Sequence, residues 1–316
     1  MALSYWLANL LERFFRGRNT LELSQWLGVN REDLFAIEPA YTEFSIPKKS
    51  GGSRQLHAPN PDLKRVQRLI LRRLLAALKS HPAAVGFEKG KSIVTGARQH
   101  TGKQLVLRFD IVDFFPSTTQ KTVLNYFRRI GWNRRAAKLL ARLVTHEQRL
   151  PQGAPTSPRL SNLVNFLMDH CIEKFVSSYD GEYTRYADDI TVSFHDPDLV
   201  IEEIIDGVFM IIRRSGYRPH LGKKMNIRRR GQRQSVNGLV VNERVNLPRE
   251  RRRWLRSVKH RARANWNWHG NWHGNWNGNA PNQPDEEANH SQPAPTISRS
   301  EFEGWLAFEK MIHDQR

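Results

Sequence analysis

Three aspartates lie where strand-like runs of the sequence end. The tetrad 186–189, Tyr-Ala-Asp-Asp, stands between the strand-like runs 182–185 and 190–194, and Asp110 ends the apolar run 105–109. Carboxylates at the ends of neighbouring strands form a hard, oxygen-rich site that suits Mg²⁺. Two such ions, about 3.5–4 Å apart, are a standard device for in-line attack on a phosphate. The pattern therefore predicts metal-assisted chemistry on a phosphate.

An acidic hairpin tip could instead be a solvated turn. Two observations argue against that interpretation for Asp188 and Asp189. The tip lacks the Asn-Gly or Asp-Gly dipeptide that two-residue hairpins favour. The flanking runs alternate or are apolar throughout, which implies at least half-burial of the hairpin. We therefore interpret Asp188, Asp189 and Asp110 as one catalytic site.

The charge balance of the chain indicates a polyanionic partner. Its 316 residues carry 50 Lys+Arg against 31 Asp+Glu, a formal net charge of +19. The length predicts a substantial core divided among roughly two or three subdomains. No apolar run approaches the ~20 residues that span a bilayer, so nucleic acid outranks a membrane as partner. Cys171 is the only cysteine, which excludes an intrachain disulfide and fits a reducing cytoplasm.

Periodicity and capping residues predict the elements that must position these acids. Asn60-Pro61 places a cap before a proline at the first helical position, and residues 44–57 predict two strands joined by a Gly-rich basic turn. Residues 1–18 predict an amphipathic helix rather than a signal peptide, because the charges follow the apolar part. Further expected elements are two short helices within 20–38, helices within 123–145 broken at Gly131, one helix over 159–176, one helix over 199–215, and a strand pair around 236–241 and 244–247.

The C-terminal part of the chain changes composition twice. Residues 249–263 hold seven arginines and Lys259 against one glutamate, with apolar residues at helical spacing, which predicts a basic helix. From 264 to 296 the sequence is dominated by Asn, Gly, Trp, His and Pro. So few aliphatic residues predict a flexible insert without a core of its own. A last helix is expected over 299–313.

Three ordered motifs resemble the catalytic motifs of reverse transcriptases. They are FDIVDFFPS at 109–117, PQGAPTSP at 151–158 and YADD at 186–189, and the similarity covers residues 40–250. The resemblance implies an α+β fold, a right-hand polymerase with fingers, a ferredoxin-like palm and a helical thumb. It implies N-terminal helices and fingers over 1–105, a palm over 106–247 in which 122–149 are fingers helices, and a basic helical thumb over 248–316 that contains the insert.

The resemblance also implies roles for the acids and their neighbours. Asp110 and Asp188 would ligate two Mg²⁺ ions, with Asp189 supporting the site and the Ile111 carbonyl aiding it. One ion would lower the pKa of the primer hydroxyl, and the other would hold the triphosphate and the leaving pyrophosphate. The implied activity is RNA-directed DNA polymerisation from dNTP substrates.

Further matches lie where the family binds the incoming nucleotide. Phe115 matches the steric gate, a ring under the sugar that leaves no room for a 2′-OH; it could also be a core residue. The other matches are Lys48 or Lys49 and Arg54, which would grip the triphosphate, Gln152 and Gly153, which would line the base-pair and template pocket, and Lys223 or Lys224, which would protonate pyrophosphate. These lysines lie in basic runs that could also be solvated surface. The segment 236–246 falls where the primer grip belongs.

Two shorter elements resemble the compact bacterial reverse transcriptases of retrons. Residues 96–100, Gly-Ala-Arg-Gln-His, are similar to the retron Asn-Ala-x-x-His element, and 236–238, Val-Asn-Gly, to Val-Thr-Gly. Each departs by one residue. The resemblance implies a bacterial, cytoplasmic enzyme that copies its own structured non-coding RNA. Synthesis would start from a guanosine 2′-OH and give branched RNA-linked cDNA. The implied role is antiphage defence, with an effector protein as a possible partner. Another defence-associated or group II intron-like reverse transcriptase, and a non-catalytic RNA-binding scaffold, remain alternatives.

The basic helix matches the thumb region that cradles the RNA duplex. An arginine helix recognises A-form shape and phosphates rather than base edges. Tryptophans of the insert could stack on unpaired bases or contact a protein, and a tolerated low-complexity loop is the alternative. The expected RNA-binding residues are Arg249, Arg252, Arg253, Arg256, Lys259 and Arg263.

Overall fold

The computed structural model describes residues 17–47, 51–221, 225–264 and 298–314, with only the backbone described at 261–264 and 299. The predicted N-terminal helix and nearly all of the predicted insert lie outside these residues. Within the described ranges, no helix is both long enough and apolar enough to cross a bilayer.

Helices and strands are mixed along the chain, with five consecutive helices between the third and fourth strands. The helices are α1 (Thr20–Leu27), α2 (Arg31–Ala36), α3 (Pro61–Leu69, continued by a π-helical segment Ile70–Leu75), α4 (Ile93–Arg98), α5 (Phe114–Ser117), α6 (Gln120–Arg129), α7 (Arg134–Val144), α8 (Ser157–Val164), α9 (Phe166–Ser177), α10 (Ile201–Arg214), α11 (Arg249–Ala264) and α12 (Arg299–Asp314). The strands are β1 (Tyr41–Pro47), β2 (Ser53–Pro59), β3 (Leu105–Asp110), β4 (Gly181–Tyr186), β5 (Asp189–Phe194), β6 (Asn226–Arg229), β7 (Ser235–Val236) and β8 (Leu239–Val240).

A four-stranded antiparallel sheet in the order β4-β5-β3-β6 forms the centre of the molecule. Its strands bury long apolar side chains together with α9 and α10, in a cluster that contains Phe109, Ile172, Tyr183, Val192 and Val208. Because β-branched and aromatic residues fill this half-buried surface, the strand propensities and the packing agree. The predicted α+β fold is confirmed.

A second core is formed by helices that precede β3 in the chain and by helices that lie between β3 and β4. Helices α1, α3, α6, α7 and α8 bury one apolar core, whose members include Leu27, Leu63, Phe127, Leu140 and Leu160. The start of α3 follows its predicted capping, since the Asn60 side chain accepts a hydrogen bond from the Leu63 N–H at 2.9 Å. The β1–β2 hairpin projects from this body, and most of its residues are exposed.

A third cluster joins the C-terminal helices to the far side of the sheet. Leu255 of α11 and Ile312 of α12 pack with Val94 of α4, Val106 of β3 and Leu239 of β8. The predicted basic helix and the predicted last helix therefore both exist, and their apolar sides share this core.

Two sequence predictions of elements were wrong in detail. The helix expected over 159–176 is divided at Asn165, whose side chain donates to the Ser161 carbonyl at 2.9 Å and to the Tyr217 hydroxyl at 2.8 Å. The expected strand pair 236–241 and 244–247 is instead the short β7–β8 hairpin, with Val236 opposite Leu239. Residue 246 makes only an isolated bridge to Val240.

Candidate active site

The turn between β4 and β5 brings the predicted acids together. Tyr186 is paired with Asp189 across the hairpin, so Ala187 and Asp188 form the turn. Ala187 has φ of 55°, a left-handed backbone that non-glycine residues seldom adopt. Asp110 at the end of β3 is paired with Asp189, and the Ile111 N–H donates to the Asp188 carbonyl at 3.0 Å. The three predicted aspartates therefore occupy one corner of the sheet.

The electrostatics of this corner favour a cation. Burial, together with the nearby negative charge of Asp110, raises the pKa of Asp188 from 3.8 to about 6. The two carboxyl groups are within hydrogen-bonding reach of each other. Like charges held this close are stabilised by a shared counter-ion, and carboxylate oxygens are the donors that hard divalent ions prefer. The donor set of Asp110 and Asp188 therefore fits a divalent metal ion.

Asp189 has a different partner from the other two acids. The Arg108 guanidinium grips both of its carboxylate oxygens, with Nε donating at 3.3 Å and Nη2 making the second contact. Burial raises the pKa of Asp189, and Arg108 opposes that rise. Arg108 lies on β3 two residues before Asp110, on the same face of the strand. This arrangement gives Asp189 a supporting position beside the acid pair.

A buried ion pair holds the β4–β5 turn that carries Asp188. Arg185, fully buried, donates to both carboxylate oxygens of Asp169 on α9 at 2.7 Å and to the Ala187 carbonyl at 3.0 Å. Tyr183 donates its hydroxyl proton to Asp169 at 2.7 Å. Because Arg185 bonds the left-handed residue of the turn directly, α9 fixes the turn that carries Asp188.

Neither Arg108 nor the Asp169–Arg185 pair was predicted as part of the site. Both charged strand residues interrupt otherwise apolar or alternating runs, and a charge at such a position usually has a buried partner. That pattern marks the arginines as unusual. It does not identify their partners, because Asp169 and Asp189 are far from them in sequence or belong to another strand.

The expected nucleotide-binding residues Phe115, Gln152 and Gly153 are all among the described residues. Phe115 is half-buried, 5.5 Å from the Phe114 ring between centroids. Gln152 accepts a hydrogen bond from the His57 N–H at 2.8 Å. Gly153 has φ of 121°, and a Cβ there would lie 3.0 Å from the His57 carbonyl oxygen. The loop 151–153 therefore docks on β2 through a contact that only glycine permits without strain.

Of the cations predicted to bind the triphosphate or the pyrophosphate, Arg54 is the one among the described residues. Arg54 is exposed on β2, opposite Ile46 near the tip of the hairpin. Lys48, Lys49, Lys223 and Lys224 lie outside the described residues. The segment leading to the last two is anchored to the site, since the His220 N–H donates to the Asp110 carbonyl at 2.7 Å.

His100 is fully buried against strands β4 and β5. Its two ring nitrogens bond the hydroxyls of Ser193 and Thr184, each at 2.7 Å. Burial lowers its pKa to about 3, so the ring is neutral. The histidine of the 96–100 element therefore ties α4 to β4 and β5.

The basic helix presents most of its predicted RNA-binding arginines to solvent. Lys259 instead pairs with Glu309 of α12, and the side chain of Arg263 is outside the described residues. The exposed arginines are Arg249, Arg252, Arg253 and Arg256.

Comparison with known proteins assigns this geometry to a family. Residues 46–239 match the family model described as reverse transcriptase (RNA-dependent DNA polymerase). The match contains the whole acid corner and the whole central sheet. The chain belongs to the retron reverse transcriptase family. Its relatives include the retron Mx65 reverse transcriptase of Myxococcus xanthus (37% identity over 70% of this chain), the retron Ec86 reverse transcriptase of Escherichia coli (35% over 72%) and the retron Mx162 reverse transcriptase of Myxococcus xanthus (32% over 75%).

The retron relatives differ from this chain in length. It spans 55% of the Mx65 and Mx162 enzymes and 71% of the Ec86 enzyme. Family membership confirms the predicted right-hand polymerase class. Reverse transcriptases use divalent metal ions, in agreement with the fit of the acid pair to such an ion.

Proposed function

We propose that this chain is an RNA-directed DNA polymerase that extends a primer with dNTPs on an RNA template. The observation that carries the proposal is the paired placement of Asp110 and Asp188, with the pKa of Asp188 raised to about 6. A cation bound between the two carboxyl groups would favour their ionised form. The retron relatives support the choice of template and product.

In this proposal Asp110 and Asp188 hold two Mg²⁺ ions, with help from the Ile111 carbonyl. The ions, when bound, supply a lowered pKa at the primer hydroxyl and charge neutralisation at the triphosphate. The protein supplies position. Arg108 fixes Asp189, and Arg185 fixes the backbone of the turn, so the acids keep one geometry through the reaction.

In this proposal, residues outside the acid pair orient the substrate. Arg54, with Lys48 or Lys49, would meet the triphosphate from the projecting hairpin, and Lys223 or Lys224 would protonate the pyrophosphate. Gln152 and Gly153 would line the template side, where the loop is docked on β2. Phe115 would lie under the sugar and exclude a 2′-OH.

The RNA partner is proposed to be a structured non-coding RNA encoded with the protein. The exposed arginines 249, 252, 253 and 256 form a cationic face suited to an RNA duplex. Because the relatives are retron enzymes, we extend the proposal to a branched product that starts at a guanosine 2′-OH, to antiphage defence and to an effector protein as partner.

Primer extension tests the activity. The protein, a primed RNA template, dNTPs and Mg²⁺ should give DNA, and Asp110→Asn or Asp188→Asn should reduce the rate at least ~10²-fold because a metal ligand is lost. Asp198→Asn, an exposed aspartate outside the site, is the control. No DNA from the wild-type protein, or full activity in Asp188→Asn, would contradict the proposal.

Sequencing of co-purified nucleic acid tests the retron part separately. We expect one dominant short DNA joined to RNA, which loses its RNA after debranching treatment. A random mixture of cellular RNAs would refute the retron product while leaving the polymerase proposal to the extension assay.

A further inference from the structure

Phe87 adopts a costly conformation without gaining burial. Its φ is 61°, in the left-handed region, where a bulky side chain is an outlier. Its ring is 44% exposed. Backbone strain of this kind persists only where surrounding structure enforces it, and it is concentrated at functional sites. The position therefore calls for a role of the exposed ring.

The ring of Phe87 lies against two residues of the candidate active site. Its centroid is 5.5 Å from the ring of Tyr186 and 6.4 Å from that of Phe115. Phe115 also contacts buried Phe114, at 5.5 Å between ring centroids in an edge-to-face arrangement. Phe115 thus has an interior neighbour, Phe114, and an exposed one, Phe87.

The segment around Phe87 is fastened on both sides. The Asn162 side chain donates to the Gly86 carbonyl at 2.7 Å and to Glu88 at 2.8 Å. Glu88 also pairs with Arg159. These bonds fix the residues before and after Phe87, so the strained backbone is held by α8 and not by contacts of the Phe87 ring.

Gly86 brings the same segment close to the catalytic turn. A Cβ at Gly86 would lie 3.2 Å from the Tyr186 ring and 3.3 Å from the Ala187 nitrogen. Any larger residue would push the segment away from the turn. Phe87 is therefore delivered to the edge of the acid corner by a close backbone approach.

We infer that Phe87 is a positioning residue for sugar selection: it supports the Phe115 ring from its exposed side and so strengthens discrimination between deoxyribonucleoside and ribonucleoside triphosphates. The inference rests on the proposed polymerase function and on Phe115 as the ring under the sugar. Without Phe87, Phe115 keeps only its interior aromatic neighbour and can turn toward the open side, which makes room for a 2′-OH. Aromatic contacts of this type prefer fixed tilted geometries, which restricts the supported ring.

Phe87→Gly separates this role from a structural one. Glycine adopts φ of 61° without strain, so the melting temperature should stay equal or rise. We expect kcat/KM for dNTPs to change little and kcat/KM for rNTPs to increase, so that the dNTP preference falls roughly 3- to 10-fold. Phe87→Tyr should restore the preference, because its ring has the same shape. Phe166→Ala, at a 38% exposed phenylalanine on α9, is the control and should leave it unchanged.

The outcomes distinguish the inference from the function on which it rests. Wild-type protein without dNTP incorporation would refute the proposed function. An active wild type and a Phe87→Gly variant with the same dNTP preference would overturn only the role of Phe87. Equal losses for dNTPs and rNTPs, or a preference that Phe87→Tyr does not restore, would overturn it as well.

Discussion

At the scale of single residues, the three aspartates of the site have unequal surroundings. Asp110 and Asp188 are close enough for the charge of Asp110 to raise the pKa of Asp188, whereas Asp189 forms an ion pair with Arg108. Arg108 contacts both carboxylate oxygens of Asp189, so this acid is paired with a cation on the neighbouring strand. The motif that a sequence shows as two equivalent aspartates is therefore chemically asymmetric.

This asymmetry predicts a pH-dependent stability of the metal-free protein. The folded-state pKa of Asp188 is about 6 against an ordinary 3.8, so the folded state favours the protonated carboxyl. The resulting destabilisation is absent below the ordinary pKa, develops as the pH rises, and is complete above about pH 6. Asp188→Asn should therefore raise the melting temperature at pH 7.5 in EDTA, on the order of 3–6 °C.

Thermal denaturation at pH 4.5 and pH 7.5 checks this expectation. The gain from Asp188→Asn should shrink at the lower pH, and Mg²⁺ should stabilise the wild type more than the variant. Asp198→Asn, on the exposed loop after β5, should show neither effect. A gain of the same size at both pH values would show that the charge of Asp188 is not its cause.

At the scale of elements, contacts between α9 and β4 hold the β4–β5 turn in place. Asp169 and Arg185 are both fully buried, and Arg185 also bonds the Ala187 carbonyl. Breaking a buried ion pair leaves an uncompensated charge, whereas replacing both partners is often tolerated. The pair therefore has a stability role and a positional role that can be separated.

Single and double variants separate these two roles. Arg185→Met alone should lower the free energy of unfolding by roughly 3–5 kcal/mol. Adding Asp169→Asn removes the unpaired charge and keeps an acceptor for Tyr183, so most of the stability should return. The extension rate should remain roughly 10- to 100-fold low, because the Ala187 carbonyl still lacks its donor. Urea denaturation and primer extension measure both, and a double variant with a wild-type rate would refute the positional role.

Sequence patterns predicted elements better than their junctions. The helix start at Asn60 and the strands that carry the acids follow from capping and alternation, which are local. The break at Asn165 depends on the Tyr217 hydroxyl, a partner 52 residues away. Likewise, the sequence shows the aspartates but not that Arg108 pairs with Asp189. It also does not show that Phe87 lies against Phe115, because both contacts depend on tertiary packing.

One missed junction had a local signature. Asn237 and Gly238 both have positive φ, 50° and 81°, as in the type I′ hairpin turn that Asn-Gly favours. The retron-like Val-Asn-Gly triplet is thus the β7–β8 turn itself. A Cβ on Gly96 would lie 2.8 Å from Val85 and 3.4 Å from the Asn237 amide. The two departures from the retron elements, at 96 and 237, therefore face each other.

At the scale of the whole molecule, the net charge of +19 includes the cations of α11, whose exposure depends on how the C-terminal helices pack. Leu255 and Val258 of α11 are buried, which turns the opposite side of the helix to solvent. Arg252 and Arg256 are one turn apart, and both are exposed. Lys259, two turns after Arg252, is only partly exposed, and it pairs with Glu309 of α12. The helix thus has arginines that are free to meet solvent and a lysine that is used to pair with α12.

This division predicts the salt dependence of RNA binding. Each phosphate contact releases counterions, so Arg252→Ala with Arg256→Ala should weaken binding of duplex RNA and reduce the slope of log K against log[KCl] by roughly 1.4–1.8. Arg134→Ala with Lys138→Ala, an equally spaced exposed pair on α7, is the control and should change the slope less. Lys259→Ala should lower the melting temperature while leaving the slope nearly unchanged, because its charge is used within the protein. Fluorescence anisotropy across a KCl series measures these slopes. If Lys259→Ala reduced the slope as much as the arginine pair does, α11 would have to bind RNA through the side that packs on α12.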